Sequence, residues 1–142
     1  MEPQTPGSIV LLVRLARVVY RRASEDLLGI RLKELATLSY LRDEEAAGRT
    51  TAQQGLIEAL CIDANACVHL LNDLEDAGRV ERRRDPMDRR RHVVRITPAG
   101  HEALEGAEHA LSTIEDDVLS ALSPKERTAL HGLLAQALTD QP

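Results

Sequence analysis

Apolar residues recur at helical spacing along most of the chain. A leucine at every third position from 32 to 41 predicts an amphipathic helix over residues 31–47, closed by Gly48. Before it, residues 8–28 are predicted to form one helix that ends at Gly29. The first half of that earlier helix is apolar nearly all round, so we expect it to be buried on more than one side.

Two short helices joined by a tight link are predicted next. Thr50 is expected to N-cap the first, with a glutamine three residues later completing a capping box, and this helix ends near residue 59 or 60. Asp63 can cap the second, which runs to Ala77 and stops at Gly78. About three residues, 60–62, separate the two helices, so the pair is a helix-turn-helix candidate.

The apolar period changes after this second helix. Val80 begins one short extended run, and Val94 and Ile96 alternate along another. Between the two runs lies Asp-Pro-Met-Asp at 85–88, which is typical of a turn. The pattern predicts a β-hairpin, and a helix-turn-helix followed by a hairpin is a winged helix.

Two further helices are predicted after the hairpin. Thr97 and Pro98 suit the N-cap and first position of one helix, and Ser123 begins another through a Ser-Pro-Lys-Glu capping box. The first has an apolar seam with steps of three and four residues: Leu104, Ala107, Leu111, Ile114, Val118 and Ala121. The last is expected to bury five apolar residues: Leu130, Leu133, Leu134, Ala137 and Leu138. Terminal helices this apolar would expose too much surface in a monomer, so we predict that they form a dimer interface.

Length and composition fit one folded domain. The chain has 142 residues, of which 43% are hydrophobic and 29% are charged. Its only aromatic residues are two tyrosines, so the core must consist of Leu, Val, Ile and Ala, which suits helix-on-helix packing. We predict a mainly α fold with a small β-hairpin wing in one domain over residues 1–142, comprising dimerisation helices at 8–28 and 98–139 and a winged helix-turn-helix lobe at 31–97.

Positive charge is concentrated on the predicted hairpin. The formal net charge is −5, yet eight arginines and only three acids fall between Arg79 and Arg95. From Ile96 to Pro124 there are six acids and no Lys or Arg. A local basic patch, rather than a basic chain, is therefore expected to bind a polyanion.

Several classes of protein are disfavoured. Arg14 and Arg17 interrupt the one early apolar run, a membrane span needs about 18 apolar residues, and no signal peptide is recognisable, so a cytoplasmic location is expected. Two cysteines are too few for a disulfide framework. Because the chain shows no nucleophile elbow, P-loop or metal-ligand spacing, an enzyme is a weaker alternative and no cofactor is expected.

The cysteines and histidines lack the spacing of a metal site. Cys61, Cys67 and His69 do not form a C-x-x-C pattern, and we expect both thiols to be buried and inert. A redox switch is disfavoured because a sensor thiol needs electropositive neighbours, whereas Cys67 has acids nearby in sequence. A metal site shared across a dimer stays an alternative, although three histidines are expected to be ordinary surface residues: His101, His109 and His131.

Motifs in the second half of the chain follow a specific order. Asp63 precedes Leu-Leu-Asn-Asp-Leu-Glu at 70–75, and Gly-Arg-Val follows at 78–80. The hairpin and the next helix then supply an Asp-x-Arg, an apolar-Thr pair and a glycine: Asp88, Arg90, Ile96, Thr97 and Gly100. A Ser-Pro-x-Glu start at 123–126 precedes a leucine-rich helix. Over nearly its whole length, the chain thus resembles the MarR family of bacterial transcriptional regulators.

The resemblance implies a homodimer whose terminal helices intertwine and whose two lobes read a palindromic operator in double-stranded DNA. It implies a transcriptional regulator, with repression favoured, that lies in the bacterial cytoplasm and associates with the nucleoid through DNA binding. A small ligand, oxidant or metal often releases the DNA in this family. Effectors often bind between the early helices and the dimer helix, where Tyr20, Tyr40 and Arg17 could line a pocket. Packing of both tyrosines in a core or interface is the simpler interpretation.

The second helix of the motif is expected to enter the major groove by its N-terminal part. Asn65 can pair with adenine, and His69 can donate to a guanine or, when protonated, to a phosphate. Thr50 and Thr51, predicted at a helix start, are expected to hold a phosphate. The residues expected to face the bases are Ala64, Asn65, Ala66, Val68, His69 and Asn72.

Arg90 is expected to enter the minor groove, whose negative potential is strongest where the groove is narrow and A·T-rich. Asp88, by the resemblance, orients a nearby guanidinium. The second helix of the motif departs from the family because it has four acids and no Lys or Arg, so wing and shape contacts are expected to matter more than usual. Five arginines are expected to neutralise phosphates or flank the groove: Arg82, Arg83, Arg84, Arg89 and Arg91.

Simpler interpretations stay open. The arginine cluster can be a solvated, ion-paired face, and Asn65 and His69 can be ordinary surface residues. A third class of function is an adaptor that uses the wing to bind acidic proteins or RNA. Preference for duplex DNA over RNA of equal charge would exclude the adaptor.

Overall fold

The structure, a computed structural model, describes residues 3–139. Three antiparallel strands form one small sheet in the order β1-β3-β2. The prediction of a mainly α fold with a β-hairpin is confirmed. In chain order the elements are α1 (Ser8–Arg22), α2 (Glu25–Leu28), α3 (Leu32–Ala46), β1 (Thr51–Ala52), α4 (Gln53–Leu60), α5 (Ala64–Asp76), β2 (Val80–Asp85), β3 (Asp88–Ile96), α6 (Pro98–Val118) and α7 (Pro124–Thr139).

Side-chain caps determine where two of the later helices begin. Asp63 Oδ1 accepts the Ala66 N–H at 2.7 Å and starts α5. Ser123 and Glu126 bond reciprocally before α7, at 2.9 and 3.2 Å. Gly78, with a φ of 74°, follows the end of α5 in the left-handed conformation that suits a glycine. These predicted boundaries are confirmed.

The segment predicted as one helix over residues 8–28 is two helices. The first ends before Ala23, whose ψ is 63°. The Ser24 side chain accepts the Leu27 N–H at 3.3 Å and starts the four-residue α2, which Gly29 ends. The serine side chain offers the backbone an alternative to continued helix, so the single-helix prediction is wrong.

A short strand replaces the predicted start of the helix-turn-helix. Thr51 pairs with Val94 of β3, and the next residue pairs with Val93. Helix α4 therefore begins only at Gln53, and no side chain within residues 3–139 caps it, so the predicted cap at Thr50 is wrong. Residues 51 and 52 thus pair with β3, where the sequence pattern predicted the capped start of a helix.

The apolar core lies between α3, α4, α5, the sheet and α6. Four fully buried leucines come one from each of these helices: Leu38, Leu56, Leu71 and Leu104. Val94 contributes from the central strand and is also buried. This packing fixes the helix-turn-helix, formed by α4 and α5, against the hairpin.

The start of α6 packs tightly on the turn between α5 and β2. The Thr97 hydroxyl donates to the Gly78 carbonyl at 2.6 Å and accepts the Gly100 N–H at 3.0 Å. The Thr97 N–H donates to the Arg79 carbonyl at 3.1 Å. A Cβ on Gly100 would overlap the Arg79 carbonyl oxygen and crowd Ile96. Only a glycine permits this approach without displacing the backbone.

Both terminal helices expose apolar side chains in the single chain, which leaves the predicted dimer interface uncovered. Neither α1 nor α7 has a buried residue among those described. Leu133 and Leu138 are 64% and 72% exposed, and α6 ends before Ala121, which leaves that residue outside the predicted seam. The core is closed by α2 to α6 with the sheet, so burial of these side chains requires a surface from outside one chain. None of the helices in residues 3–139 is long and apolar enough to cross a bilayer.

Gly100→Ala is expected to lower the free energy of unfolding by about 3 kcal/mol or more, because the added methyl group must displace a backbone carbonyl. Gly106 lies in the same helix with open space around its Cβ position, and Gly106→Ala is expected to raise stability by about 0.5–1 kcal/mol. Urea unfolding at one protein concentration measures both changes. Similar effects of the two substitutions would contradict the tight packing of α6.

Candidate nucleic-acid interface

The N-terminal half of α5, the predicted recognition helix, presents an exposed face without charge. Five residues predicted to contact bases are exposed there: Ala64, Asn65, Ala66, Val68 and His69. The opposite face is buried through Cys67, Leu70, Leu71 and Leu74. The helical spacing of these buried residues thus holds the other side of the helix outward.

The turn before α5 contains an exposed cysteine. Cys61 lies between α4 and α5 with a φ of 53°, and its thiol is exposed. The expectation that both thiols are buried is therefore wrong for Cys61 and correct for Cys67. Burial raises the pKa of the Cys67 thiol. No group of three or more His, Cys, Asp or Glu side chains in residues 3–139 is placed to hold a metal ion.

The wing, formed by β2, β3 and their turn, has an irregular tip. Arg84 pairs with His92 but Asp85 pairs with Asp88, so residues 89–91 have no partner on β2. Asp85 Oδ1 accepts the Met87 N–H at 2.9 Å. This bulge places three consecutive arginines at the end of the wing, and bulges change the direction in which side chains point.

Asp88 holds backbone rather than a guanidinium. Its Oδ1 accepts the Arg90 N–H at 3.1 Å. No arginine within residues 3–139 lies within ion-pair distance of Asp88, which differs from the role that the family resemblance implied. The short aspartate side chain suits such a local bond to the backbone two residues on. Asp88 thus shapes the turn that carries Arg90.

The wing arginines fall into free and paired groups. Arg83 lies 3.3 Å from Glu81, and Arg91 Nε lies 4.0 Å from Asp85. Among the described residues, no hydrogen bond or ion pair holds the guanidinium groups of the other three arginines predicted at the tip: Arg84, Arg89 and Arg90. These three exposed cations are available to an external anion.

Arg82 is engaged by the recognition helix. Its Nη2 donates to Asn72 Oδ1 at 2.6 Å and to Glu75 Oε1 at 3.0 Å. The hydrogen bond from Arg82 holds the pKa of the Glu75 carboxyl below its ordinary value. Sequence reasoning assigned Arg82 to a phosphate and Asn72 to a base, but the structure joins the two to each other.

Two of the acids on α5 are paired with arginines. Asp73 accepts from Arg31 at 2.8 Å, as Glu75 does from Arg82, and Asp63, just before the helix, caps it. These contacts reduce the negative charge that α5 presents. The acidic composition of this segment therefore opposes DNA less than the sequence alone suggests.

The two predicted phosphate-binding threonines do not start a helix. Thr50 is exposed and precedes the strand, whereas Thr51 is buried within it. The two threonines were predicted to hold a phosphate because they were placed at the start of a helix, but α4 begins only after them. A groove of about 540 Å³ beside Thr50 lies between the end of α3 and the wing, and no sequence pattern predicts it.

The residues of the predicted effector pocket differ in their surroundings. Tyr20 is exposed and lines a cavity of about 260 Å³ with Arg31, Leu32 and their neighbours. Tyr40 instead packs partly against the core, where burial raises the pKa of its hydroxyl, and neither Tyr40 nor Arg17 lines that cavity. Of the three predicted residues, Tyr20 alone lines this cavity.

Comparison with known proteins identifies regulators as relatives. No family model matches the chain. It is 35% identical over 103 residues to an uncharacterized HTH-type transcriptional regulator of Bacillus subtilis, covering 72% of this chain and 59% of that protein. It is 37% identical over 83 residues to a putative transcriptional regulatory protein for the hcr operon of Thauera aromatica, covering 58% of this chain and 50% of that protein. The chain thus spans only half to three-fifths of the length of these relatives.

Solved structures share the fold along most of the chain. A probable transcriptional regulator from Pseudomonas aeruginosa is 28% identical, with a TM-score of 0.73 over 92% of this chain and 96% of that one. MarR from E. coli is 22% identical, with a TM-score of 0.77 over 96% and 99%. Bordetella bronchiseptica BpsR, whose DNA binding is regulated by 6-hydroxynicotinic acid, is 24% identical, with a TM-score of 0.71 over 89% and 95%. The chain therefore has the winged-helix fold of the MarR family, and the resemblance to that family is confirmed.

Proposed function

We propose that this protein is a transcriptional regulator that binds a palindromic DNA operator as a homodimer and acts as a repressor. The observation that carries this proposal is that α5 has an exposed, uncharged face and that the adjoining wing has arginines without an ion pair within residues 3–139. Duplex DNA offers both surfaces a match, since its grooves display base edges and its backbone is anionic. The regulators related in sequence support the same function.

The recognition helix reads the major groove in this proposal. Asn65 and His69 supply donors and acceptors for base edges, and Val68 supplies an apolar contact for a thymine methyl group. All three are exposed on the first two turns of α5, the part of a recognition helix that faces the bases. Phosphates then set the position of the helix, whereas these side chains discriminate sequence.

The wing supplies most of the attraction to DNA. Arg90 enters an adjacent narrow minor groove, and Arg84 and Arg89 neutralise phosphates beside it. The guanidinium groups of these three arginines form no ion pair within residues 3–139, so DNA binding does not have to disrupt one. Arg82 is excluded from this set because it is already bonded to α5.

The terminal helices form the dimer. Five consecutive apolar residues of α1, Ile9 to Val13, are between 43% and 72% exposed, and α7 exposes Leu133, Leu134 and Leu138. Apolar surface of this extent on two helices needs a partner, and a second copy provides a matching surface through two-fold symmetry. The dimer then presents two lobes to the two halves of a palindrome.

Repression follows if the bound dimer covers promoter DNA. A small effector that binds near Tyr20, at the cavity between α1 and α3, can change the position of the lobes and release the operator.

Selection by the protein from a pool of random duplexes is expected to enrich a palindromic sequence. Duplexes that tile the region upstream of the protein's own gene are tested for binding in parallel. A single retarded complex containing two protomers is expected on the enriched duplex. Affinity should exceed that for a scrambled duplex by about 10³-fold or more. Equal, salt-sensitive binding to every duplex and to RNA of equal charge would contradict the proposal and favour a basic adaptor surface.

Arg90→Ala is expected to weaken binding to the selected duplex by about 1–3 kcal/mol per protomer, because a guanidinium leaves the minor groove. Lys125→Ala removes the same charge at the start of α7 and serves as the control. Fluorescence anisotropy at two salt concentrations measures both. A much greater loss with each of Asn65→Ala and His69→Ala than with Arg90→Ala would show that the wing does not dominate.

Leu133→Glu is expected to raise the dimer dissociation constant by about 100-fold or more, because it buries a charge in an apolar interface. Met87→Glu places the same charge at the wing turn, where Met87 is 93% exposed, and should leave the dimer intact. Sedimentation equilibrium measures both. A wild-type chain that stays monomeric at micromolar concentration would contradict the dimer.

A further inference from the structure

Arg82 makes four hydrogen bonds between the wing and the recognition helix. Its Nη2 donates to Asn72 Oδ1 and Glu75 Oε1, and its Nε lies 3.4 Å from Glu75 Oε2. Its backbone N–H donates to the same Oε2 at 3.1 Å. The Arg82 side chain is only 20% exposed. We call this set of three residues the Arg82 bridge.

The bridge lies where the hairpin leaves the core. Val80, Arg82 and Arg84 follow one another on the same face of β2, since side chains two apart on a strand share a face. Val80 is buried, Arg82 is partly buried, and Arg84 is exposed. Regular pairing with β3 continues from Arg82 through Arg84, and the register of the wing becomes irregular only beyond Arg84.

The two anchors of the bridge lie on the second half of α5. Asn72 and Glu75 are three residues apart and therefore adjacent on one side of the helix. Both accept from one planar guanidinium, whose fixed donor directions restrict the angle between strand and helix. A lysine would supply the charge without this directional restriction.

We propose that Arg82 is a positioning residue that fixes the angle of the wing against α5, and so sets the spacing between major-groove and minor-groove contacts that the operator must provide. This inference rests on the proposed DNA-binding function. Arg82 does not touch the DNA. Its effect on sequence discrimination passes through Asn65 on α5 and Arg90 on the wing, whose relative position the bridge determines.

The competing role for Arg82 is direct contact with a phosphate. The two roles predict opposite effects of Glu75→Gln. If Glu75 helps to hold the wing, its loss weakens operator binding, because the wing angle is no longer fixed. If Glu75 merely occupies a phosphate-binding arginine, its loss frees Arg82 and tightens binding. Removal of an acid also favours DNA in general, so the experiment needs a control for charge.

Arg82→Gln, Glu75→Gln and the control Glu81→Gln are each titrated with the selected duplex and with a scrambled duplex over a range of salt concentrations. Glu81 pairs with Arg83 on the same strand, so Glu81→Gln changes charge as Glu75→Gln does but leaves the bridge intact. Both bridge variants are expected to lose about tenfold in affinity for the selected duplex, with an unchanged salt slope. The control is expected to bind the selected duplex at least as well as wild type.

Tighter binding by Glu75→Gln than by Glu81→Gln would overturn the proposal. So would a salt slope that falls by about 0.9 per protomer in Arg82→Gln, since that is the signature of a lost phosphate contact. Duplexes with one base pair inserted between the major-groove and minor-groove contacts add a second measurement. Wild type should reject them more strongly than the bridge variants do, and equal rejection would contradict a positioning role.

NMR titration of the Glu75 carboxyl tests the contact without DNA. Arg82 holds the pKa of Glu75 below its ordinary value, and Arg82→Gln is expected to raise it. An unchanged Glu75 pKa would overturn the bridge itself. If wild type discriminates no duplex, the DNA-binding function fails, while this titration still decides whether the bridge exists.

Discussion

The turn between α5 and β2 is the constraint on which the rest of the structure depends. Gly78 ends the recognition helix, and its carbonyl accepts the Thr97 hydroxyl from the start of α6. The Arg79 carbonyl accepts the Thr97 N–H and lies against Gly100. Four parts of the chain thus meet at this turn: the end of α5, the start of β2, the end of β3 and the start of α6. A shift at this turn would move α5, the wing and the long helix α6 together.

Charge is distributed so that the acidic chain can present a basic surface. On α5, Asp73 and Glu75 are paired with Arg31 and Arg82. At the tip of the wing, an irregular register separates residues 89–91 from β2. Arg31 and Arg82 are engaged by acids of α5, whereas Arg84, Arg89 and Arg90 on the wing have no ion pair within residues 3–139 and keep their charge for an external partner. Net charge therefore describes solubility, and the local distribution describes binding.

Local signals allowed most of the fold to be predicted from sequence. Asp63, Thr97 and Ser123 each cap a helix through bonds that span only three residues, so their roles are visible in the sequence. The position of Thr51 in a strand could not be predicted in this way, because the strand pairing depends on Val94, far along the chain. The contacts of Arg82 could not be predicted for the same reason. The sequence shows that Asn72 and Glu75 are present, but only the fold brings them within hydrogen-bond distance of the Arg82 guanidinium.

The terminal helices leave their apolar residues exposed because the core of one chain is closed without them. Their apolar seams were visible in the sequence, which assigned their burial to a dimer interface, and a single chain does not test that interface. The α6 helix links the two regions, since Arg42 of α3 donates to both oxygens of Glu108 at 2.7 and 2.8 Å. One guanidinium nitrogen, Nη1, makes both bonds, and this contact adds to the packing of α3 on α6. In the proposed dimer, a displacement of α6 is therefore transmitted to α3 and to the lobe behind it. Spacing between the two half-sites is then set by the dimer helices, and spacing within each half-site is set at the wing.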